Sequence, residues 1–501
     1  MEDRKFISEV PNEMVGEEDA TYTVDEALIK LGFGKFQAFI LFYAGMGWIG
    51  EAMEMMLLSF VGPAVQSQWD LSAQKESMIT SVVFVGMLIG AYSWGIVSDT
   101  YGRRQGFLFT AIVTSMAGFL SALAPNYASL LFLRFMVGIG LGGGPVLWSW
   151  FLEFVPAPNR GAWMVIFSTF WTIGTIFEAS LAWAIMPKLG WRWLLALSSL
   201  PSFILLIFYR ATPESPRYLC MKGCAGAAAD ILSKIATQNH TSLPPGHLIS
   251  DSQMELEEIT DSSMETAHLV SDQDQNENFG TKGGGLKAVM MLLTPNLVRS
   301  TLLLWMVFLG NAFAYYGIVL LTSELNNGNK DCKVKEVRPE HLNDDGLYKN
   351  VFISSFAEIP GLLISALIVD KLGRKLSMSS MLFTSFLFMG PLVFYQSEVL
   401  TAISLFGARV CISASFTIVY IYAPEIYPTS VRATGIGVAS SVGRIGGILC
   451  PLVAVALVHG CHQTIAILLF ELVIFLSGLA VCFFPFETTG CKLSDTVTDF
   501  K

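Results

Sequence analysis

Twelve blocks of about 20 mostly apolar residues dominate the chain, at 36–63, 78–97, 106–122, 130–151, 163–186, 193–209, 300–321, 351–369, 377–395, 401–422, 433–457 and 464–484. Helix of that length matches the hydrocarbon thickness of a bilayer, so each block is long enough to cross one. The composition agrees: 53% of the 501 residues are hydrophobic and 14% charged, against roughly 25% charged in a soluble domain. A disordered chain, a collagen, a secreted disulfide scaffold and a typical nucleic-acid binder are excluded together, because none has this composition. The expected fold is an all-α membrane protein with twelve transmembrane helices and no nucleic-acid partner.

The net charge of −10 is confined. Residues 1–30 carry nine acids against three bases, and residues 251–277 carry nine acids with no Lys or Arg. Both segments read as solvated and disordered, which leaves the remainder net basic and ties the acidity to no substrate. Positive charge then sets the orientation. Arg103, Arg104, Arg160, Lys371, Arg374, Lys375 and Arg432 fall in one set of short loops; only Lys75, Lys188 and Arg192 fall in the other. The richer set is the cytosolic one, which puts both termini inside. The domains expected are a tail at 1–35, a six-helix bundle at 36–209, a cytosolic linker at 210–299, a second bundle at 300–484 and a tail at 485–501. Ser215 to Ala236 reads as a helix on the inner surface, and the acidic stretch after it as a flexible linker, with phosphorylation of its Ser and Thr residues as the alternative.

The eight cysteines define no framework. Cys411, Cys450 and Cys482 lie in apolar spans as small hydrophobes, and Cys332 and Cys461 fall in outer loops where pairing is open. Cys220 and Cys224 have no further ligand at zinc spacing. No metal and no cofactor are expected.

The two halves repeat one another. Gly95 to Arg104, with Asp99, Gly102 and the Arg103-Arg104 pair, returns as Ala366 to Lys375, with Asp370, Gly373 and Arg374. Glu153 and Arg160 return as Glu425 and Arg432 at nearly the same offset, and Arg134 has a rough counterpart in Arg409. An even number of spans per half gives both copies the same orientation, so their pseudo-symmetry axis lies along the membrane normal.

These motifs resemble the major facilitator superfamily over nearly the whole chain. The duplicated G-x-x-x-D-x-x-G-R-R loop, Pro213-Glu214-Ser215-Pro216-Arg217 after span 6 and Pro485-Phe486-Glu487 after span 12 resemble its sugar-porter branch. Glu51-Ala52-Met53-Glu54 and Asn311 to Gly317 resemble the synaptic-vesicle-2-related proteins, the nicotinate permeases and the organic cation/carnitine transporters of plants, which include plant nicotinate transporters. The resemblance implies two pseudo-symmetric six-helix bundles that alternate access to a central site. One departure is Thr100, where the signature usually has Arg or Lys; a slightly weakened gate is the expectation.

The candidate cytosolic gate is Asp99, Arg103, Arg104, Glu153, Arg160, Asp370, Arg374, Lys375, Glu425 and Arg432. Partly exposed ion pairs of this kind break cheaply, so they can lock one conformation and release another. Inside the spans stand Glu51, Glu54, Arg134, Glu178, Glu358, Arg409, Arg444 and Glu471. Each costs about 2.5 kcal/mol or more at mid-membrane unless it is paired or wet. By resemblance to proton-coupled sugar porters, Glu51 and Arg134 are the expected proton-coupling pair, a static structural ion pair being the alternative. Arg444 in span 11 stands where organic anion and carnitine transporters carry Arg and cation transporters carry Asp. A guanidinium there would clamp a carboxylate with two parallel hydrogen bonds; pairing with Glu358 or Glu178 for structure is the competing reading. Asn311, Tyr315 and Tyr316, with Glu54, Glu178 and Glu358, complete the substrate-binding candidates, and Trp48, Trp148 and Trp171 are candidate aromatic walls. Gly138, Gly140, Gly142 and Gly143 match a dinucleotide pattern inside span 4, where close helix packing explains them better.

The function expected is that of a monomeric, non-enzymatic secondary transporter carrying a small carboxylate-bearing organic ion, nicotinate or carnitine in type, with protons. Its location is the plasma membrane, or a vacuolar or other endomembrane. The alternatives are an organic cation transporter, a sugar porter and a non-transporting vesicle or receptor protein.

Overall fold

A computed structural model describes residues 21–156, 160–249, 290–295, 297–331, 351–394, 397–427, 432–458 and 462–488. Cys332, Cys461 and the acidic stretch at 251–277 lie outside the described residues, as do the side chains of Asp99, Arg160, Asp370 and Arg432. The chain opens with β1 (Thr21–Tyr22) and α1 (Val24–Leu31). Six spans follow: α2 (Lys35–Trp69), α3 (Ala73–Tyr101), α4 (Arg103–Ala122), the broken pair α5 (Tyr127–Leu141) and α6 (Gly144–Leu152), α7 (Arg160–Leu189), and the pair α8 (Trp191–Ser198) and α9 (Leu200–Phe208). Two short helices, α10 (Pro216–Met221) and α11 (Ala225–Asn239), and β2 (His247–Leu248) lie between the halves. The second six are α12 (Val298–Asp331), a helical stretch at 351–355 continuing as α13 (Glu358–Leu372), α14 (Arg374–Met389), α15 (Glu398–Ile426), α16 (Arg432–Pro451) leading into a π-helix at Leu452–Leu457, and α17 (Gln463–Cys482). Among the described residues eleven helices are long and apolar enough to cross a membrane, and twelve if the bent pair α1–α2 counts as one. The architecture is the one expected: an all-α, multi-pass membrane protein of two six-helix bundles.

The N-terminal segment departs from expectation. Residues 21–34 are part of the fold, not a solvated tail. Val24, Ala27, Leu28 and Leu31 recur at helical spacing and are buried, and Thr23 and Glu26 close a capping box at the helix start. β1 pairs in parallel with β2, and Arg217 of α10 forms an ion pair with Asp25. An acidic composition hid a short apolar stripe that the linker helices cover. The expected helix over Ser215 to Ala236 is two helices, turned at Gly223, whose φ of +76° is left-handed.

Glycines let the helices of the first bundle approach at backbone distance. A Cβ at Gly138 would overlap the Val83 carbonyl oxygen of α3, and one at Gly140 or Gly143 would overlap Thr114 or Thr110 of α4. The glycine run therefore packs α5 between α3 and α4, as small residues do in membranes. It also breaks the span at Gly142–Gly143. Gly138→Val is expected to drive α5 off α3 and to abolish recovery of folded protein; a monodisperse, normally expressed variant on size-exclusion chromatography would contradict this packing.

The halves meet toward the ends of the helices remote from the Asp99 and Asp370 loops. There Trp183 and Phe352 pack with ring centroids 5.4 Å apart, the Ser81 hydroxyl donates to the Ile448 carbonyl at 3.0 Å, and Phe84 fills the space beside Gly447. At the arginine-rich end the ion pairs described below lie within each half. The arrangement is closed on the face away from those loops.

Candidate functional site

The buried charges fall into three groups. In the first half, Arg134 of α5 pairs with Glu54 of α2, Nη1 to Oε2 at 3.0 Å, and its Nε donates to the Ser121 hydroxyl at 3.2 Å. Arg134 is 0% and Glu54 1% exposed. The expected Glu51–Arg134 pair is therefore not formed. Three residues advance a helix by about 300°, so Glu51 and Glu54 diverge by about 60°, and the packing of α2 turns Glu54 to the arginine. Glu178 of α7, 0% exposed, belongs to the same cluster: the charges of Glu54 and Arg134 both act on it, and the Ser198 hydroxyl lies 2.9 Å from each of its carboxyl oxygens.

In the second half, Arg409 of α15 pairs with Glu358 of α13 at 2.8 Å and donates to Ser354 at 3.1 Å. The same carboxylate accepts the Tyr315 hydroxyl at 2.5 Å and, from across the halves, lies 3.3 Å from the Thr175 hydroxyl, which is itself 3.0 Å from the Thr172 carbonyl. Trp171 of α7 in turn donates to Tyr315 at 2.9 Å. The repeat thus sets an arginine in each bundle core, although the acid partners come from non-equivalent helices.

The third group spans the interface. Arg444 of α16 is half-buried; its Nη1 donates to the Tyr316 hydroxyl at 3.3 Å and lies 3.9 Å from the Met87 sulfur of the first half. Among the described residues it has no ion-pair partner, so the structural pairing with Glu358 or Glu178 does not occur. Glu51 lies near enough to Arg444 and Tyr316 to interact with them electrostatically. Glu51 accepts no hydrogen bond among the described residues, and its Oε2 lies 2.6 Å from where a Cβ at Gly144 would stand. It borders a hollow of about 40 Å³ lined also by Thr110, Thr114 and Ser202, enough for a few waters. Asn311, 0% exposed, donates its amide to the Val307 carbonyl at 3.0 Å, and its buried Oδ1 has no partner among the described residues. The aromatic wall is partly as expected: Trp48 packs on Trp148 and Trp171 with centroids 5.7 and 5.3 Å away, and Phe84 meets Tyr316 edge-on at 4.8 Å.

At the arginine-rich end, Arg103 pairs with Glu153 at 3.2 Å and Arg374 with Glu425 at 3.1 Å. Two further acids escape the sequence reading. Glu214 accepts the backbone N–H of Arg104 at 3.1 Å, and Glu487 accepts those of Arg374 and Lys375 at 2.8 and 3.0 Å. Each carboxylate caps the helix N-terminus that follows a left-handed glycine, Gly102 at φ +113° or Gly373 at +83°, where it meets both free donors and the helix dipole. Burial holds the Glu214 carboxyl above its ordinary pKa, against the pull of those N–H bonds. The separation of Glu214 from Glu487, close to the offset of the repeat, is the signal that could have found them.

Residues 36–500 match the profile of the sugar (and other) transporter family. The chain is 64% identical over 487 residues to organic cation/carnitine transporter 7 of Arabidopsis thaliana, covering 96% of this chain and 97% of that one. It is 37% identical over 499 residues to the synaptic vesicle 2-related protein of Xenopus laevis, covering 97% and 85%. Among solved structures, the partially occluded inward-open xylose transporter XylE from E. coli superposes with a TM-score of 0.68 at 17% identity, over 91% of this chain and all of that one.

Proposed function

Since the chain belongs to the sugar transporter family of the major facilitator superfamily, we propose that it carries a small carboxylate-bearing organic ion, nicotinate or carnitine in type, by alternating access coupled to protons. The observation that supports this reading is the state of Arg444: a guanidinium between the halves, hydrogen-bonded to a phenol and without a carboxylate of its own. Removing such a group from bulk water is costly unless a counter-ion arrives, and a ligand carboxylate can accept two parallel hydrogen bonds from it. Glu51 offers the opposite charge nearby, which suits a zwitterion: a carboxylate on Arg444 and a cationic nitrogen toward Glu51. The orphaned Asn311 Oδ1 offers an acceptor, and the ring of Tyr316 a flat wall.

Proton coupling passes to the buried Arg134 cluster, in which Glu54, not Glu51, is the ion-pair partner of the arginine. The Asp99 and Asp370 loops, with their arginines and Glu153, Glu425, Glu214 and Glu487, form the cytosolic gate, so the closed face is the outer one and the termini are inside. The protein acts as a monomer in the plasma membrane or an endomembrane.

The test is flux into proteoliposomes of labelled nicotinate, carnitine, choline and glucose, with and without a pH gradient. Nicotinate or carnitine is expected to accumulate only with the gradient. Saturable uptake of choline alone would replace this reading with that of a cation carrier, and uptake of glucose alone with that of a sugar porter.

A further inference from the structure

We propose that Glu178 is the carboxyl that carries the coupled proton, and that it holds this proton in the conformation seen here. The inference rests on the proton-driven reading above and assigns the carrier within it.

The first observation is a charge count. Glu54, Arg134 and Glu178 come from α2, α5 and α7, and none is more than 1% exposed. Two carboxyl groups share one guanidinium. The equivalent cluster of the second half has one of each, Glu358 and Arg409. An unpaired carboxylate at such a depth neutralises by binding a proton, so the cluster around Arg134 needs one proton that the cluster around Arg409 does not.

Hydrogen-bond donors decide which acid holds it. Glu54 is already in a direct ion pair with Arg134, which supplies it with a charged donor. Among the described residues the one hydrogen-bond partner of Glu178 is the Ser198 hydroxyl, 2.9 Å from both its oxygens. That hydroxyl lies nearer still, 2.7 Å, to the carbonyl of Leu194, one turn back on the same helix. A hydroxyl has one proton. Given to the carbonyl, which can only accept, it leaves Ser198 presenting lone pairs to Glu178. The hydrogen bond between them then needs a proton from the carboxyl itself.

The cluster is also built to let that proton go. Among the described residues Arg134 Nη2 is buried with no hydrogen-bond partner, and so is Glu54 Oε1. When the O–H bond of Glu178 breaks and its proton passes to water admitted as the halves rock, the free N–H of Arg134 in the same cluster is the donor available to the new carboxylate. The groups facing Glu178 are Glu54 from α2, Arg134 from α5 and Ser198 from α8; α4 contributes the uncharged Gly118 beside Glu54 and Ser121 beside Arg134. One turn away on α7, Thr175 touches the Glu358–Arg409 pair of the other half. Rocking of the halves therefore pulls on the helix that carries Glu178.

The experiment uses the full chain in proteoliposomes with labelled nicotinate. Glu178→Gln, which keeps the shape of the protonated acid, is expected to equilibrate the label but to lose its gradient-driven accumulation, the inside-to-outside ratio falling to about one, since the amide binds no transferable proton. Ser198→Ala, which leaves the carboxyl in place, is expected to move the pH midpoint of accumulation down by about half to one unit, the worth of one neutral hydrogen bond. Infrared difference spectra of the purified protein should show a carboxylic C=O band that Glu178→Gln removes. Accumulation by Glu178→Gln equal to wild type, an unmoved midpoint in Ser198→Ala, or an unchanged band overturns the assignment. Wild-type protein that carries nicotinate without responding to the gradient overturns the proton-driven reading itself, and the carrier role with it.

Discussion

Arg444→Asp is expected to abolish carboxylate uptake. The substrate's carboxylate would meet a second carboxylate where it now meets a guanidinium. Like charges about 4 Å apart repel by about 4 kcal/mol at an effective dielectric near 20, which is close to a thousandfold in KM. The protein should still fold, because among the described residues Arg444 has no ion-pair partner to strand. Arg444→Lys keeps the charge but loses the planar fork, and a loss of about tenfold is expected. Concentration-dependent nicotinate uptake by both variants measures this. Wild-type KM in the Asp variant would rule out the clamp and move the substrate's anionic end elsewhere.

Arg134→Ala is the second large effect, and it falls on stability first. It strands Glu54, 1% exposed, beside Glu178. Removing one partner of a buried ion pair costs about 3–5 kcal/mol, because the other charge is left without compensation. The detergent-solubilised variant should unfold at clearly lower temperature or fail to accumulate in the membrane. Adding Glu54→Gln removes the stranded charge and should restore most of the stability without restoring accumulation against a gradient. A double variant no more stable than Arg134→Ala would mean that the two side chains are not energetically coupled.

The contrast between Glu51 and Glu54 shows where sequence reasoning stops. Both acids lie within one turn of α2, and resemblance alone favours the first as the partner of Arg134. The arginine chain is long enough for either, so spacing carries no decision. The rotation of α2 about its axis decides it, and that rotation follows from which small residues its neighbours offer, such as Gly118 beside Glu54 and Gly144 beside Glu51. Glu178 and Glu358 read from sequence as substrate contacts because a buried acid needs a reason. Glu358 is paired with Arg409 and Glu178 faces Ser198, while Arg444, which either was a candidate to neutralise, pairs with neither. Residues 21–34 read as a tail because their acids outweigh a short apolar stripe; the cover for that stripe lies far along the chain, in α11.

That the chain spans a membrane about twelve times, that its two halves repeat in one orientation, and which ionisable side chains lie at depth can all be read from the order of residues. These follow from local quantities, the hydropathy of each span-length window and a constant offset, since a bilayer accepts few backbone arrangements. Packing alone sets which acid meets which base, leaves Arg444 without an ion-pair partner among the described residues, and brings Glu214 and Glu487 to the loop helices. Such pairings depend on helix rotation and on separations of a few ångströms between segments remote in the chain, and in a low dielectric those ångströms settle where each charge and proton resides.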